Sequence, residues 1–151
     1  MAGRNTQGSR ILHAAGTGSP GEYHEIEEVT NISGPDGTAN TIDVTHLRST
    51  AKEYLPGLGD FGQIQMTCNY VGQPQQIALL TMFQTNADPE EFRLYLPVNS
   101  QLTSFDRFTF DASVTQWQLG AVVDDKQTLS ITLKVTGTVE LTQNVPAPSV
   151  T

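Results

Sequence analysis

Residues 41–70 read TIDVTHLRSTAKEYLPGLGDFGQIQMTCNY. The stretch opens as a short strand, Thr41 to Val44, and breaks at Thr45 into a polar, partly basic segment from His46 to Tyr54. It closes on Leu55-Pro56-Gly57-Leu58-Gly59-Asp60 and then enters a strand with clear alternation. Ile64, Met66, Cys68 and Tyr70 fall on one side of that strand, and Gln63, Gln65, Thr67 and Asn69 on the other. The segment from Thr45 to Gly62 reads as a long inter-strand loop, longer than most connections in a compact domain. Proline fixes φ and glycine permits φ > 0, so Pro56-Gly57 predicts a turn of definite shape. Leu55 and Leu58 sit around that turn and need burial, either in the chain's own core or against a neighbouring subunit.

Working outward, Glu22 to Ser33 reads as a weak strand with Ile26 and Ile32 on one face. Gly34-Pro35-Asp36-Gly37 is a turn signal leading back into Thr41–Val44, which predicts a hairpin. Beyond the Gln63–Tyr70 strand, Gln75 to Gln84 is the only helical pattern, with Pro74 at its start. Ile77, Leu80 and Phe83 share a face, and Leu79 and Met82 widen it. Glu91–Pro97 and Phe105–Leu119 are strands, the second with Phe108, Phe110, Ala112 and Val114 on one row. Asp124-Asp125-Lys126 is a turn. From Leu129 to Leu141 apolar residues alternate with Ser, Thr, Lys and Glu, the cleanest strand pattern in the chain. The expected fold is therefore mainly β, an antiparallel sandwich or small barrel with one flanking helix and a long inter-strand loop.

Three segments are expected in a single-domain chain of 151 residues. Residues 1–21 are rich in Gly, Ser, Thr and Asn and read as a flexible arm, residues 22–142 as the β domain, and residues 143–151 as an extended tail. A chain this size buries about 70% of its unfolded surface and needs no covalent staple. Its one cysteine, Cys68, excludes an intrachain disulfide and lies on an apolar row, where it acts as a small hydrophobe.

Lys and Arg number 8 against 16 Asp and Glu, giving a net charge of −8. No basic cluster is present to grip phosphates, so a surface facing nucleic acid would repel it weakly. The start of the chain has no apolar signal core, and the longest apolar run, Ile77-Ala78-Leu79-Leu80, falls far short of the roughly 20 residues that cross a bilayer. A soluble protein made in a cytoplasm is expected.

No chemistry stands out. His13, His24 and His46 lack metal-ligand spacing, and Asp43 with His46 has no accompanying nucleophile pattern. Asp43 and Thr45 are better suited to holding loop backbone N–H groups. Neither acidic run, Glu25/Glu27/Glu28 or Asp88/Glu90/Glu91, has the rhythm of a calcium loop. No enzyme, cofactor or metal is expected. The outward rows of Thr, Ser and Gln suit an interface or lumen, or an ordinary wet sheet face. Long strands have edges, and pairing between subunits in a closed ring removes them.

The run Ile42-Asp43-Val44-Thr45-His46-Leu47-Arg48-Ser49, followed by Tyr54-Leu55-Pro56-Gly57-Leu58-Gly59-Asp60-Phe61-Gly62, resembles the hallmark of the major tail tube proteins of long-tailed bacteriophages. Leu133 to Val139 resembles that family's closing strand, and the similarity covers roughly residues 25–140. The resemblance implies a structural β subunit that forms hexameric rings stacking into a hollow tube through which DNA passes. It implies as partners further copies of the chain, a tape-measure protein during assembly, tail tip or baseplate and terminator proteins, and DNA only as non-specific cargo, with no membrane. It places the protein in the virion tail, after assembly in the host cytoplasm. The inter-subunit loop would carry Asp43, Thr45, His46, Arg48, Lys52, Leu55, Pro56, Gly57, Leu58 and Asp60, with Leu55 and Leu58 as buried anchors shaped by Pro56 and Gly57. Arg48 and Lys52 would give a salt-dependent contact with acidic groups. The alternatives are a tube protein of a gene transfer agent or type VI secretion system, or a monomeric β-sandwich binding or decoration module.

Overall fold

A computed structural model describes residues 4, 7–14 and 23–148. Among these, nine strands and one helix follow in the order β1 (Arg10–Ala14), β2 (Tyr23–Glu25), β3 (Val29–Ser33), β4 (Thr38–Asp43), β5 (Tyr54–Asp60), β6 (Gln63–Asn69), α1 (Pro74–Gln84), β7 (Glu90–Pro97), β8 (Phe105–Gly120) and β9 (Thr128–Val145). Seven strands make one antiparallel sheet in the order β2-β1-β7-β8-β9-β6-β3, and β4 and β5 form a separate pair.

The sheet curls around its own apolar rows. Ile64, Met66 and Cys68 of β6, Leu129, Ile131 and Leu133 of β9, Phe110, Ala112 and Val114 of β8, and Phe92 and Leu94 of β7 fill one core. Each large side chain taken from water there contributes on the order of 1.5–3 kcal/mol. Phe92 lies between His13 and Phe110, stacked on both at 4.6 and 6.0 Å. The curl brings the two ends of the sheet back together. The Ile26 N–H donates to Ile11 O at 3.0 Å, and Val29 and Ile32 of β3 share a groove with Leu94 and Leu96 of β7. The ends do not pair strand to strand, so the fold is mainly β as expected but not a closed barrel. Helix α1 packs on β8 and adds Leu79 and Met82 to the same core.

Several expectations are corrected. Residues 10–14, placed in a flexible arm, are a sheet strand in which Ile11, Leu12 and His13 are buried. Its short apolar pattern is masked by the Gly-rich sequence around it. The rest of that arm, 15–22, and the tail at 149–151 lie outside the described residues. The tail's first residues continue β9 to Val145, which is buried beside Leu12, Tyr95 and Phe105. The weak strand of residues 22–33 is split at Glu28, which has φ +62. The expected hairpin across Gly34–Gly37 does not form: β3 pairs with β6, and β4 pairs with β5. The expected loop of 45–62 contains β5, so residues 44–53 connect β4 to β5 and residues 61–62 connect β5 to β6.

The helix also turns its inner face differently. Gln76, Leu79 and Met82 are buried, whereas Ile77 and Phe83 are exposed. Apolar residues lie on most sides of α1, so periodicity does not select the face. A buried glutamine decides it. Gln76 Nε2 donates to Asn69 O at 2.8 Å, and its Oε1 accepts from the Val71 N–H at 3.1 Å. Those bonds tie the first turn of α1 to the end of β6. Gln76→Leu keeps the volume but leaves both backbone groups without a partner, and should cost about 1–3 kcal/mol of stability, read from urea unfolding midpoints.

Candidate functional site

The β4–β5 hairpin is the feature the fold does not explain. Every residue of β4 is exposed, and β5 has only Gly57 half-buried. A two-stranded ribbon standing off a sheet is marginal alone and has no core to hide its apolar residues. Ile42 and Leu55 face each other across the pair with each 54% exposed, and Leu58 is 96% exposed. Val44 and Leu47 are exposed as well, and Tyr54, paired with Asp43, is exposed on the ribbon's other face. Pro56 is tolerated because the ribbon offers only edge positions. The register slips between Ala39 and Thr41, and there Gly57 lets the strands approach: a Cβ on it would lie 2.8 Å from Asn40 O.

The ribbon's connection is tied to itself. Asp43 Oδ1 accepts the Thr45 N–H at 2.9 Å, and Thr45 Oγ1 accepts the Glu53 N–H at 2.9 Å. The Val44 N–H donates to Glu53 O at 2.9 Å. The His46 N–H donates to Ser49 Oγ, and the Arg48 N–H to His46 Nδ1. Asp43 is held below the ordinary aspartate range, first by the Thr45 hydroxyl and then by its N–H. These bonds order the segment without consuming its cations. The side chains of Arg48 and Lys52 make no ion pair among the described residues.

The base is anchored to the main sheet. Asp60 accepts the Gly62 N–H at 2.8 Å and pairs with Lys134 of β9 at 3.0 Å. The Val135 N–H donates to Gly62 O at 3.1 Å. Gly62 has φ +69, and a Cβ there would sit 2.7 Å from Asp36 O. Gly34, on the other chain entering the ribbon, has φ +98 and would clash with Gln63 O. The two chains therefore cross at glycines where the ribbon leaves the sheet.

All ten residues singled out in the sequence thus lie on one ribbon. As a strand, however, β5 does not shape a turn at Pro56-Gly57, and neither Leu55 nor Leu58 is buried within the chain. Sequence reasoning missed Gly34, Gly62 and Lys134. Gly34 stood in a turn signal, Gly62 closed the motif run, and Lys134 was a charge on the outward row of the cleanest strand, but nothing in the sequence joined them to the base of the ribbon.

A second feature lies on the outer side of β6, β9 and β8. Gln65 and Thr67, Ser130 and Thr132, and Gln116 and Gln118 form a shallow trough of uncharged polar side chains. Among the described residues no group of three or more His, Cys, Asp or Glu side chains could hold a metal, and no helix is long and apolar enough to cross a membrane.

The curled antiparallel sheet with one helix is shared with chains of several solved tube assemblies. The fold matches a chain in the tail of an empty gene transfer agent particle, resolved with C6 symmetry, at a TM-score of 0.72 and 17% identity over 93% of this chain and 99% of that one. It matches the SPP1 tail tube at 0.70 and 14%, over 95% and 81%. It matches a sheath/tube terminator structure of an extracellular contractile injection system at 0.72 and 14%, over 94% and 98%. No curated protein matches the sequence. Residues 2–99 match the model of the family described as phage tail tube, TTP, lambda-like, and the chain belongs to that family. The protein is a structural subunit of a phage tail tube and a component of the virion tail.

Two measurements test the anchor. The pKa of Asp60 is lowered, first by the Gly62 N–H and then by Lys134, so its contribution is complete above the ordinary aspartate range and is lost as pH falls through the lowered value. The Gly62 amide resonance should report this titration, and Lys134→Ala should move its midpoint upward. An unmoved midpoint would remove Lys134 from the anchor. Gly62→Ala should cost about 1–3 kcal/mol through its left-handed backbone and the close Asp36 carbonyl, and should speed hydrogen exchange at Val135.

Proposed function

We propose that copies of this chain close into six-membered rings that stack into the tube, with the β4–β5 ribbon as the ring-to-ring contact. The observation that carries this reading is the ribbon itself: ordered by its own hydrogen bonds, anchored at its base, and apolar where none of the described residues covers it. A tube subunit offers such a surface a partner, namely another copy. Leu55 and Leu58 are the residues to be buried there, and Asp43, Thr45, His46, Pro56, Gly57 and Asp60 hold them in place. Arg48 and Lys52 add a salt-dependent attraction.

In the same reading the Gln, Thr and Ser trough on β6, β8 and β9 faces the lumen. Such a surface presents no fixed cations, apart from the Lys134 already engaged by Asp60. With a net charge of −8 the wall does not hold phosphates, so DNA passes as non-specific cargo. A tape-measure protein occupies the lumen during assembly in the host cytoplasm, and tip or baseplate and terminator proteins close the ends. The subunit carries out no catalysis.

Negative-stain electron microscopy of the concentrated protein should show rings or hollow tubes. Leu55→Asp with Leu58→Asp should give a folded subunit, with an unchanged circular-dichroism spectrum, that does not stack. Normal tubes from this variant would show that the ribbon is not the stacking contact. Isolated particles from the unaltered chain at every concentration would favour a monomeric binding module.

A further inference from the structure

The ribbon has a counterpart on the same chain. Strand β6 runs antiparallel to β9, with Gln63 opposite Lys134 and Asn69 opposite Thr128. The ribbon leaves the sheet at the Gln63/Lys134 end. The opposite end, about 20 Å away at the rise of a β-strand, carries the turn between β8 and β9. That turn is also apolar and uncovered: Leu119, Val122 and Val123 are exposed, Val123 by 88%. The row continues inward through Trp117, whose indole meets the exposed ring of Phe83 edge-on at 6.5 Å.

Each end also carries exposed charged side chains. The ribbon offers Arg48 and Lys52, while its carboxylates Asp43 and Glu53 are engaged by Thr45 and Ser49. The turn offers Asp124 and Asp125 against the single Lys126, and neither aspartate makes an ion pair among the described residues. Asp125 Oδ1 accepts only the Lys126 N–H, at 2.8 Å. Two exposed apolar surfaces at opposite ends of one subunit, one bearing Arg48 and Lys52 and the other Asp124 and Asp125, allow a heterologous, head-to-tail contact that repeats along an axis.

We propose that the β8–β9 turn, with Leu119, Val122 and Val123 as its apolar floor and Asp124 and Asp125 as its acidic rim, is the surface of the next copy that receives the β4–β5 ribbon. This rests on the reading of the ribbon as the stacking contact and adds its acceptor. The apolar floor takes up Leu47, Leu55 and Leu58, and the acidic rim faces Arg48 and Lys52. Rim pairs of this kind set orientation and association rate more than affinity.

The test places a photo-crosslinking phenylalanine analogue at Leu47, which is fully exposed at the ribbon's end. It is activated in assemblies that electron microscopy has verified as tubes, and the bonded peptides are identified by mass spectrometry. Bonds to residues 119–126 of another copy are expected. Bonds to another copy at any other segment overturn the acceptor while leaving the ribbon as the stacking contact. Absence of any bond to another copy overturns both. A second variant keeps the turn intact: Asp124→Asn with Asp125→Asn retains the side-chain acceptor at position 125 and a residue tolerant of the φ of +63 at position 124. It should raise the protein concentration needed for tubes by about tenfold at low salt, with the difference shrinking at high salt as exposed pairs are screened. An unchanged threshold at low salt would remove the acidic rim from the contact.

Discussion

The pairing of β8 with β9 is the constraint on which the rest of the molecule depends. The ladder runs from Phe105 opposite Val145 to Gly120 opposite Thr128 and is interrupted by three register shifts. Each shift adds local twist and bend to strands that would otherwise be long and flat. The consequence is visible in where the apolar residues go. In the half near the turn, Leu129, Ile131 and Leu133 pair with Leu119, Trp117 and Val114 and face the main core. In the other half, Phe105 and Val145 belong to a second cluster with Leu12 and Tyr95. One pair of strands therefore supplies two cores, and helix α1 adds Leu79 and Met82 to the larger one.

That division explains what could be read from the sequence. Strands β6 and β9 were legible because one face is buried and the other wet, so alternation survives over their length. Helix α1 was legible as a helix, but its inner face was not. The residue that fixes it is Gln76, whose burial depends on Asn69 and Val71 at the end of another element. Strand β1 was hidden because Ile11 and Leu12 face different cores, leaving a bare apolar pair among glycines and polar residues. Strand β5 was read as a turn because Pro56 and Gly57 are turn residues by local chemistry. A ribbon with no sheet on either side accepts both, since it places no ladder demand beyond its single partner.

The candidate site was legible as a place more than as a shape. The ten residues chosen from 43–60 do lie together, because the sequence there is polar, cationic and apolar in a combination no core requires. What holds the ribbon out was not legible. Gly34 and Gly62 matter through carbonyls that approach them across the chain, and Lys134 is distant from Asp60 in sequence. Such contacts appear only once the register of β6 with β9 is known.

The fold separates the residues that make the subunit stable from those that make it associate. The core of Phe92, Phe110, Leu133 and their neighbours is complete without any residue of β4 or β5. A subunit can therefore fold and stay folded while its ribbon is wet. The ribbon by contrast contributes little to its own stability, because its apolar residues remain in water until a partner covers them. In the proposed stacking contact, its internal hydrogen bonds between Asp43, Thr45 and Glu53 would lower the ordering cost of association. The net charge of −8 opposes encounter between subunits at a distance, and in the proposed contact Arg48 and Lys52, which make no ion pair among the described residues, supply local attraction. In that proposed contact, general repulsion with attraction limited to one ordered ribbon would favour a single orientation. That is the condition under which a heterologous interface yields an ordered polymer and not an irregular aggregate.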